Sequence, residues 1–153
     1  MSDTRHRTFE TLGILMRFHA FPEDVQRKYC LVEAVVPPGL GAPPNHHAGE
    51  TEAFYVLDGK IEFTIAGETR VAGAGDFVPI PDGAIHAFTA LGDAPARVLI
   101  VNAPGGMHAA FFTELGVKVS DDRTAPTRMS TPPDGARVAA VAERAGMTIL
   151  APA

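Results

Sequence analysis

The chain has 153 residues, 46% of them hydrophobic and 20% charged, with 15 glycines and 13 prolines, which predicts one globular domain with many turns. A formal net charge of −5 provides no basic surface for phosphates and so argues against nucleic-acid binding. No apolar run reaches the roughly 18 residues of a membrane-spanning helix, so no membrane partner is expected.

Two stretches of strand periodicity open the chain. Apolar residues alternate with others over residues 9–20, and a second strand rich in β-branched residues is predicted over 29–36, ending at Pro37. The single cysteine, Cys30, lies in this second strand, where we expect a buried thiol and not a nucleophile. One cysteine cannot form an intramolecular disulfide, which fits a reducing compartment, and we expect a cytoplasmic protein.

Glycine and proline turns divide the next part of the chain into short strands. Asp58-Gly59 stands between two alternating apolar runs and predicts a β-hairpin. Further turns follow at intervals of roughly 8–12 residues, at Gly67-Glu68, Gly73–Asp76, Pro81–Gly83 and Gly92–Pro95. About eight short strands with no helix among them predict an all-β antiparallel sandwich or barrel.

The pattern changes after the last predicted strand. Apolar side chains at every fourth position from Met107 predict a short helix. A second helix is predicted from an N-cap at Asp134 through Ala145. We therefore predict a β-barrel over residues 1–105 and a C-terminal helical extension, residues 106–153, packed on the barrel.

The segment Pro43–Gly59 concentrates side chains that bind metals, with two adjacent histidines and two glutamates. It resembles the first sequence motif of the cupin superfamily. That motif has a glycine, a His-x-His pair, a glutamate three or four residues later and, beyond six further residues, a second glycine. The positions that fit it are Gly39, His47, Glu52 and Gly59.

A later segment resembles the second cupin motif at every spacing. That motif has a glycine, five residues, Pro-x-Gly, two residues and a histidine, with an asparagine at its end. The matching positions are Gly75, Pro81, Gly83 and His86, while Ala90 stands where the asparagine would be. The two motifs occur in the family's order, and the resemblance extends over residues 30–105.

The resemblance implies an antiparallel cupin (jelly-roll) barrel whose inward side chains hold one divalent transition metal: iron, nickel, manganese, copper or zinc. Within the superfamily, the chain resembles small quercetin-dioxygenase-like cupins of actinobacterial type. It therefore implies a metal-dependent dioxygenase, an oxidoreductase that acts on a small aromatic or polyketide-like molecule in the barrel cavity. By the same resemblance Glu52 would be the catalytic base.

The first motif departs from the family pattern at its histidine pair. With a four-residue gap to Glu52, the pair falls on Asn45 and His47; with a three-residue gap it falls on His46 and Ala48. We favour the first register, which keeps the family's usual length. Alternation along a strand then directs His46 away from the site.

The favoured register implies a ligand set of His47, Glu52 and His86, with Asn45 as a weak fourth ligand or a hydrogen-bond donor. His46 would be a ligand only in the alternative register. A neutral amide is a poorer donor than an imidazole, so two possibilities stay open. The protein is either a metal enzyme, or a metal-independent cupin that binds a small molecule or acts as a cyclase or isomerase. Glu50, in contrast, is expected to be exposed.

Three phenylalanines, Phe54, Phe63 and Phe88, share strand faces with the predicted site and are candidates for its pocket wall. Tyr29 and Arg17 are further candidates, as side chains that could reach the cavity. Tyr55 and Leu57 lie on the opposite strand face from Glu52, which suits a contact between two copies of the chain. The cupin resemblance implies such a homodimer.

Overall fold

The computed structural model describes residues 6–150, in which short strands form two antiparallel sheets. The strands, in chain order, are β1 (Thr8–Thr11), β2 (Ile14–Ala20), β3 (Cys30–Val36), β4 (Gly41–His46), β5 (Thr51–Asp58), β6 (Lys60–Ile65), β7 (Glu68–Gly73), β8 (Phe77–Ile80), β9 (His86–Leu91), β10 (Ala96–Ala103), β11 (Val117–Lys118) and β12 (Thr148–Ile149). The helices are a 3-10 turn at Pro22–Val25, α1 (Gly106–Leu115) and α2 (Gly135–Ala145). None of these helices is long and apolar enough to span a membrane.

The two sheets enclose one apolar core. The seven-stranded sheet has the order β11-β1-β2-β3-β10-β5-β8, and the five-stranded sheet has the order β12-β4-β9-β6-β7. Their inner faces meet where the ring of Phe54, from the first sheet, lies 5.0 Å from Phe63 and 5.3 Å from Phe88 of the second. Strand alternation buries these rings because every second side chain faces the other sheet. The predicted all-β antiparallel architecture is confirmed.

Two turns differ from the sequence prediction. Residues 9–20 form two strands, β1 and β2, because Leu12 and Gly13 both adopt positive φ angles and close a tight hairpin between them. The hairpin predicted at Asp58-Gly59 is wrong: β5 pairs with β8 and β10, whereas β6 pairs with β7 and β9. The turn is present, but it carries the chain from one sheet to the other. Both flanking runs still bury their apolar faces, because the sheets face each other.

The segment after β10 is built onto both sheets. β11 pairs with β1, and β12 pairs with β4. The predicted helices are confirmed: α2 follows an Asp134 cap whose carboxylate accepts hydrogen bonds from the backbone N–H groups of Ala136 and Arg137. α1 packs against α2 and also contacts β1 and β3. The division of the chain between residues 105 and 106 stays a prediction.

Gly105 joins β10 to α1 at a point where a side chain has no room. Its φ is +97°, and a Cβ placed there would lie 2.5 Å from the Cβ and 2.6 Å from the backbone nitrogen of Cys30. Cys30 itself is buried as predicted, and burial, more than the nearby carboxylates, raises the pKa of its thiol to about 12. The thiol is therefore protonated at neutral pH, and Cys30 contributes to the packing of the core.

A Gly105→Ala variant is expected to lose roughly 2–5 kcal/mol of stability, from left-handed backbone strain and overpacking together. Gly92→Ala is the matched control, because Gly92 has a φ of +85° but no neighbouring atom within 4 Å of the added Cβ. The control should lose only the backbone term, about 1–2 kcal/mol. Urea unfolding of both variants measures the difference, and equal losses would contradict the close approach to Cys30.

Candidate metal centre

Three predicted ligands meet at one end of the barrel. His47 follows β4, Glu52 is the second residue of β5, and His86 opens β9. The Nε2 atom of His86 lies 2.8 Å from Oε1 of Glu52, and that of His47 lies 3.5 Å from the same oxygen. The two Nε2 atoms are 3.3 Å apart. All three side chains are at least nine-tenths buried, with His47 and His86 each 3% exposed and Glu52 7% exposed.

Backbone carbonyl groups orient both histidine rings. The Nδ1 atom of His47 donates to the carbonyl oxygen of Glu50 at 2.9 Å, and Nδ1 of His86 donates to that of Ala84 at 2.9 Å. A carbonyl oxygen can only accept, so each Nδ1 carries a hydrogen and each neutral ring has its lone pair on Nε2. Two lone pairs and a carboxylate therefore face one another, and only a proton or a cation between them relieves the repulsion.

A third histidine, His108, enters the site from the first turn of α1. Its Nε2 atom lies 3.1 Å from Oε2 of Glu52, and its ring centroid is 4.4 Å from that of His47 at an interplanar angle of 87°. His108 is not among the ligands predicted from the sequence. The signal was available in the helix periodicity, because His108 shares the spacing of the buried residues Phe111, Phe112 and Leu115.

Glu50 is buried, and its predicted exposure is wrong. It is 1% exposed and lies in the turn between β4 and β5. Its carboxylate accepts hydrogen bonds from the backbone N–H groups of Gly105, Met107 and His108 and from Nδ1 of His108. Four donors and the positive end of a helix compensate the burial of the charge. Glu50 thus fixes both the start of α1 and the orientation of the His108 ring.

The charges of these groups support one another. Burial alone would raise the pKa of Glu52, but the charge of His108 and its hydrogen bond hold that pKa well below its usual range. Burial alone would lower the pKa of His108, but the charge of Glu52 and the hydrogen bonds to Glu50 raise it to about 9. Burial opposes the charge of Glu50 as well, yet its bond to His108 lowers its pKa. Two carboxylates and one imidazolium leave a net negative charge that attracts a cation.

Asn102 supports Glu52 from the neighbouring strand. It is fully buried on β10, directly opposite Glu52, and its Nδ2 atom donates to Oε2 of Glu52 at 2.8 Å. Its own Oδ1 atom is buried with no hydrogen-bond partner in residues 6–150. A buried acceptor such as Oδ1 of Asn102 that has no donor costs folding free energy.

The cluster fits a divalent transition metal. One ligand atom each from His47, Glu52 and His108 lies within 4.8 Å of the others. His47 and Glu52 also belong to the triad with His86, whose three separations run from 2.8 to 3.5 Å. Neighbouring ligands about 2.1 Å from an ion are roughly 3 Å apart, so these spacings suit a shared ion. Imidazole nitrogens and a carboxylate are the donors that iron, nickel, copper and zinc take.

A cavity of about 70 Å³ adjoins the cluster. Glu52, His86 and His108 form its polar end. The remaining wall is largely apolar and includes Met16, Phe88, Ile100, Phe111, Phe112 and Met147. The barrel supplies one side of this wall, while α1 and the segment after α2 supply the other.

Other proteins resemble this chain in sequence or in fold. Residues 32–102 match the family model described as a cupin domain. The fold is a cupin fold. An uncharacterized protein of Methanocaldococcus jannaschii is 30% identical over 81 residues, which are 53% of this chain and 65% of that protein. The chain thus spans less than two thirds of that relative's length.

Two solved structures illustrate the likeness. A predicted oxalate decarboxylase from Thermotoga maritima has a TM-score of 0.60 at 21% identity, over 67% of this chain and 96% of that one. The polyketide cyclase RemF from Streptomyces resistomycificus has a TM-score of 0.56 at 24% identity, over 68% and 78% of the two chains. At such identities these structures show the fold alone. Together the matches support the cupin superfamily.

The two residues that precede His47 in the chain, Asn45 and His46, contact the backbone and neighbouring strands. Asn45 pairs with His86 across β4 and β9, and its Nδ2 atom donates to the carbonyl oxygens of Pro43 and His86, at 2.9 and 3.2 Å. Asn45 lines the cavity, with its amide nitrogen held by the backbone. His46 is half-buried opposite Thr148 of β12. Their assignment as a weak and an alternative ligand stays a prediction.

The predicted pocket residues separate into two groups. Phe88 lines the cavity, while Phe54 and Phe63 are fully buried in the core beneath it. Arg17 and Tyr29 are not brought to the cavity. The guanidinium of Arg17 donates to the carbonyl oxygens of residues 121 and 123 at 2.6 and 2.7 Å, and Tyr29 is 38% exposed. Arg17 lies on the face of β2 opposite the buried Met16 and Phe18, and Tyr29 precedes the first residue of β3.

Proposed function

We propose that this cupin is a metal-dependent oxygenase, of the quercetin-dioxygenase-like kind, that acts on a small aromatic or polyketide-like molecule. The observation that carries the proposal is the convergence of imidazole Nε2 atoms on the Glu52 carboxylate at the end of an apolar cavity. His47, Glu52 and His86 are the ligands that the barrel contributes. A bound divalent metal would supply open coordination positions for an enolate oxygen and dioxygen.

Glu52 is suited to hold a cation and only weakly suited to remove a proton. Its low pKa keeps the carboxylate charged at neutral pH. A base this weak accepts a proton only from a hydroxyl that is already acidic, such as that of an enolised aromatic compound. Asn102 and His108 fix the carboxylate in place, and the apolar wall keeps water away from the reacting end.

The size of the cavity restricts how a substrate can enter. A cavity of about 70 Å³ is smaller than the roughly 150 Å³ that accommodates benzene in an engineered protein cavity. An aromatic substrate that is wholly buried there would require movement of the wall that α1 and the last strand supply, including Phe111, Phe112 and Ile149. The barrel strands beneath, which carry His47, Glu52 and His86, can stay in place.

Metal content tests the proposal. Protein purified without chelators and reconstituted with Fe(II), Ni(II) or Mn(II) is expected to hold about one metal per chain and to consume dioxygen with a hydroxylated aromatic compound. Glu52→Gln should abolish uptake and dioxygen consumption, because it removes the anionic ligand. Glu33→Gln is the control, since Glu33 lies on the outer surface with His19 and Arg97. Elemental analysis without metal, and no activity after reconstitution, would refute the proposal.

The alternative is a metal-independent cupin, either a small-molecule binder or a cyclase or isomerase. The observation that favours it is Asn45, which stands at a motif histidine position and donates its amide to backbone carbonyls. In that case the histidines and Glu52 would transfer protons directly, without an ion between them. A tightly bound stoichiometric metal whose removal abolishes function would count against this alternative.

The predicted homodimer is part of the proposal. Tyr55 is 43% exposed and lies opposite Phe77, which is 56% exposed, on the outer face at the β8 edge of the larger sheet. Leu57 is half-buried on the same strand. Two adjacent exposed aromatic rings suit a contact with a second copy of the chain. Light scattering that returns a monomer mass across a concentration series would refute the dimer.

A further inference from the structure

The metal site proposed above has one imidazole that neither cupin motif of this sequence contains. His108 belongs to α1, after the barrel, and is 4% exposed. Its Nδ1 atom is held by Glu50, which leaves Nε2 directed at Glu52 from a distance of 3.1 Å. His47 and His86 approach Oε1 of Glu52, whereas His108 approaches Oε2. His108 therefore occupies the other side of the same carboxylate.

His108 lies where it can replace the histidine ligand that is absent at position 45. Asn45 stands at a motif histidine position and its amide nitrogen donates to two backbone carbonyl groups. The first motif therefore provides one imidazole, that of His47, where the family pattern has two. The ring of His108 is nearly perpendicular to that of His47, with centroids 4.4 Å apart, so both Nε2 atoms can approach one ion without ring overlap. The ligand atoms of His47, Glu52 and His108 all lie within 4.8 Å of one another.

We infer that His108 is the additional metal ligand of this site, supplied by α1 in place of the imidazole that Asn45 lacks. The inference rests on the proposed function, in that a metal must be bound. Its consequence is that α1 completes the site and closes the cavity at the same time. Phe111 and Phe112 lie on the same helix and form the cavity wall, so metal occupancy stabilises the closed position of α1.

The experiment compares metal binding by wild type, His108→Ala and His46→Ala. His46 is the matched control because it lies on β4 next to His47 and pairs with Thr148. Ni(II) or Zn(II) affinity, measured by competition with a chelator, should fall at least about 100-fold in His108→Ala, since losing a ligand's hydrogen-bond partner alone typically lowers affinity 10–100-fold. His46→Ala should retain the wild-type affinity. Bound metal should slow amide exchange in α1 at least about 10-fold in wild type and leave it unchanged in His108→Ala.

X-ray absorption of the metal-loaded wild type counts the imidazole ligands without any mutation. Three imidazoles are expected, and this count decides the question if His108→Ala fails to fold. Two imidazoles in wild type, or unchanged affinity in His108→Ala, would overturn the role of His108 while leaving the metal site intact. A wild type that binds no metal would instead refute the proposed function, and the role of His108 with it.

Discussion

A Glu50→Gln variant is expected to lose about 3–5 kcal/mol of folding stability, as removal of one partner from a buried ion pair does. In the native protein Oε1 of Glu50 accepts from the backbone N–H groups of Gly105 and Met107, while Oε2 accepts from N–H and Nδ1 of His108. Glutamine has one carbonyl oxygen, so in either orientation its NH₂ group faces two donors. Urea unfolding followed by circular dichroism measures the loss.

Glu33→Gln is the control for charge removal at a glutamate that is not buried. Glu33 also contacts a histidine and an arginine, His19 and Arg97, but its side chain is 25% exposed. Water compensates the change there, and a loss of no more than about 1 kcal/mol is expected. A loss below 1 kcal/mol in Glu50→Gln as well would contradict the role of Glu50 in fixing the start of α1.

The pattern of local sequence predicts most of the barrel. Alternation and glycine turns indicate the strands, because each strand buries every second side chain between two facing sheets. The same local rule fails for pairing. Asp58-Gly59 has the composition of a hairpin turn, yet β5 and β6 lie in different sheets. Which strands become neighbours depends on contacts between distant segments, and turn chemistry does not report them.

The candidate site likewise contains residues that local sequence predicts and contacts that it does not. Glu52 and His86 could be predicted because both lie on inward positions of strands within matched motifs. Helix periodicity indicates that His108 is buried, but its contact with Glu50 could not be predicted, since it joins positions 58 residues apart and exists only once α1 docks on the barrel. The spacing of its apolar residues predicts α1 only as a short helix packed on the barrel. Its buried face also carries a titratable residue, and that residue meets the two glutamates of the first motif region.

Asn45 and His108 are best understood together. Asn45 stands where the motif has a histidine, so the first motif offers one imidazole fewer. His108 of α1 places an imidazole on the opposite side of Glu52. This arrangement makes the C-terminal segment part of the site and not only a cover for it. It also gives the metal-free protein an internal counter-ion, because a protonated His108 lies between two carboxylates.

The metal-free protein is accordingly expected to lose stability as the pH rises from 6.5 towards 9. The pKa of His108 rises from 6.5 to about 9 on folding, since the charge of Glu52 and the hydrogen bonds to Glu50 outweigh the effect of burial. The folded state thus binds this proton more tightly than the unfolded state. Its contribution is complete below pH 6.5, decreases as the pH passes through about 9, and amounts to roughly 3 kcal/mol.

Urea unfolding in EDTA at several pH values between 6.5 and 9 measures this decrease. The chelator is needed because a metal would compete with the proton for Nε2. The series ends at pH 9, where the unfolded Cys30 thiol, with an ordinary pKa of 9.0, is half ionised while the folded thiol, with a pKa of about 12, is not. His108→Gln should be less stable at pH 6.5 and nearly independent of pH, whereas His19→Gln, at an exposed ring, should keep the wild-type slope. A flat wild-type profile, or the same slope in His108→Gln, would show that the buried imidazolium does not hold the two carboxylates together.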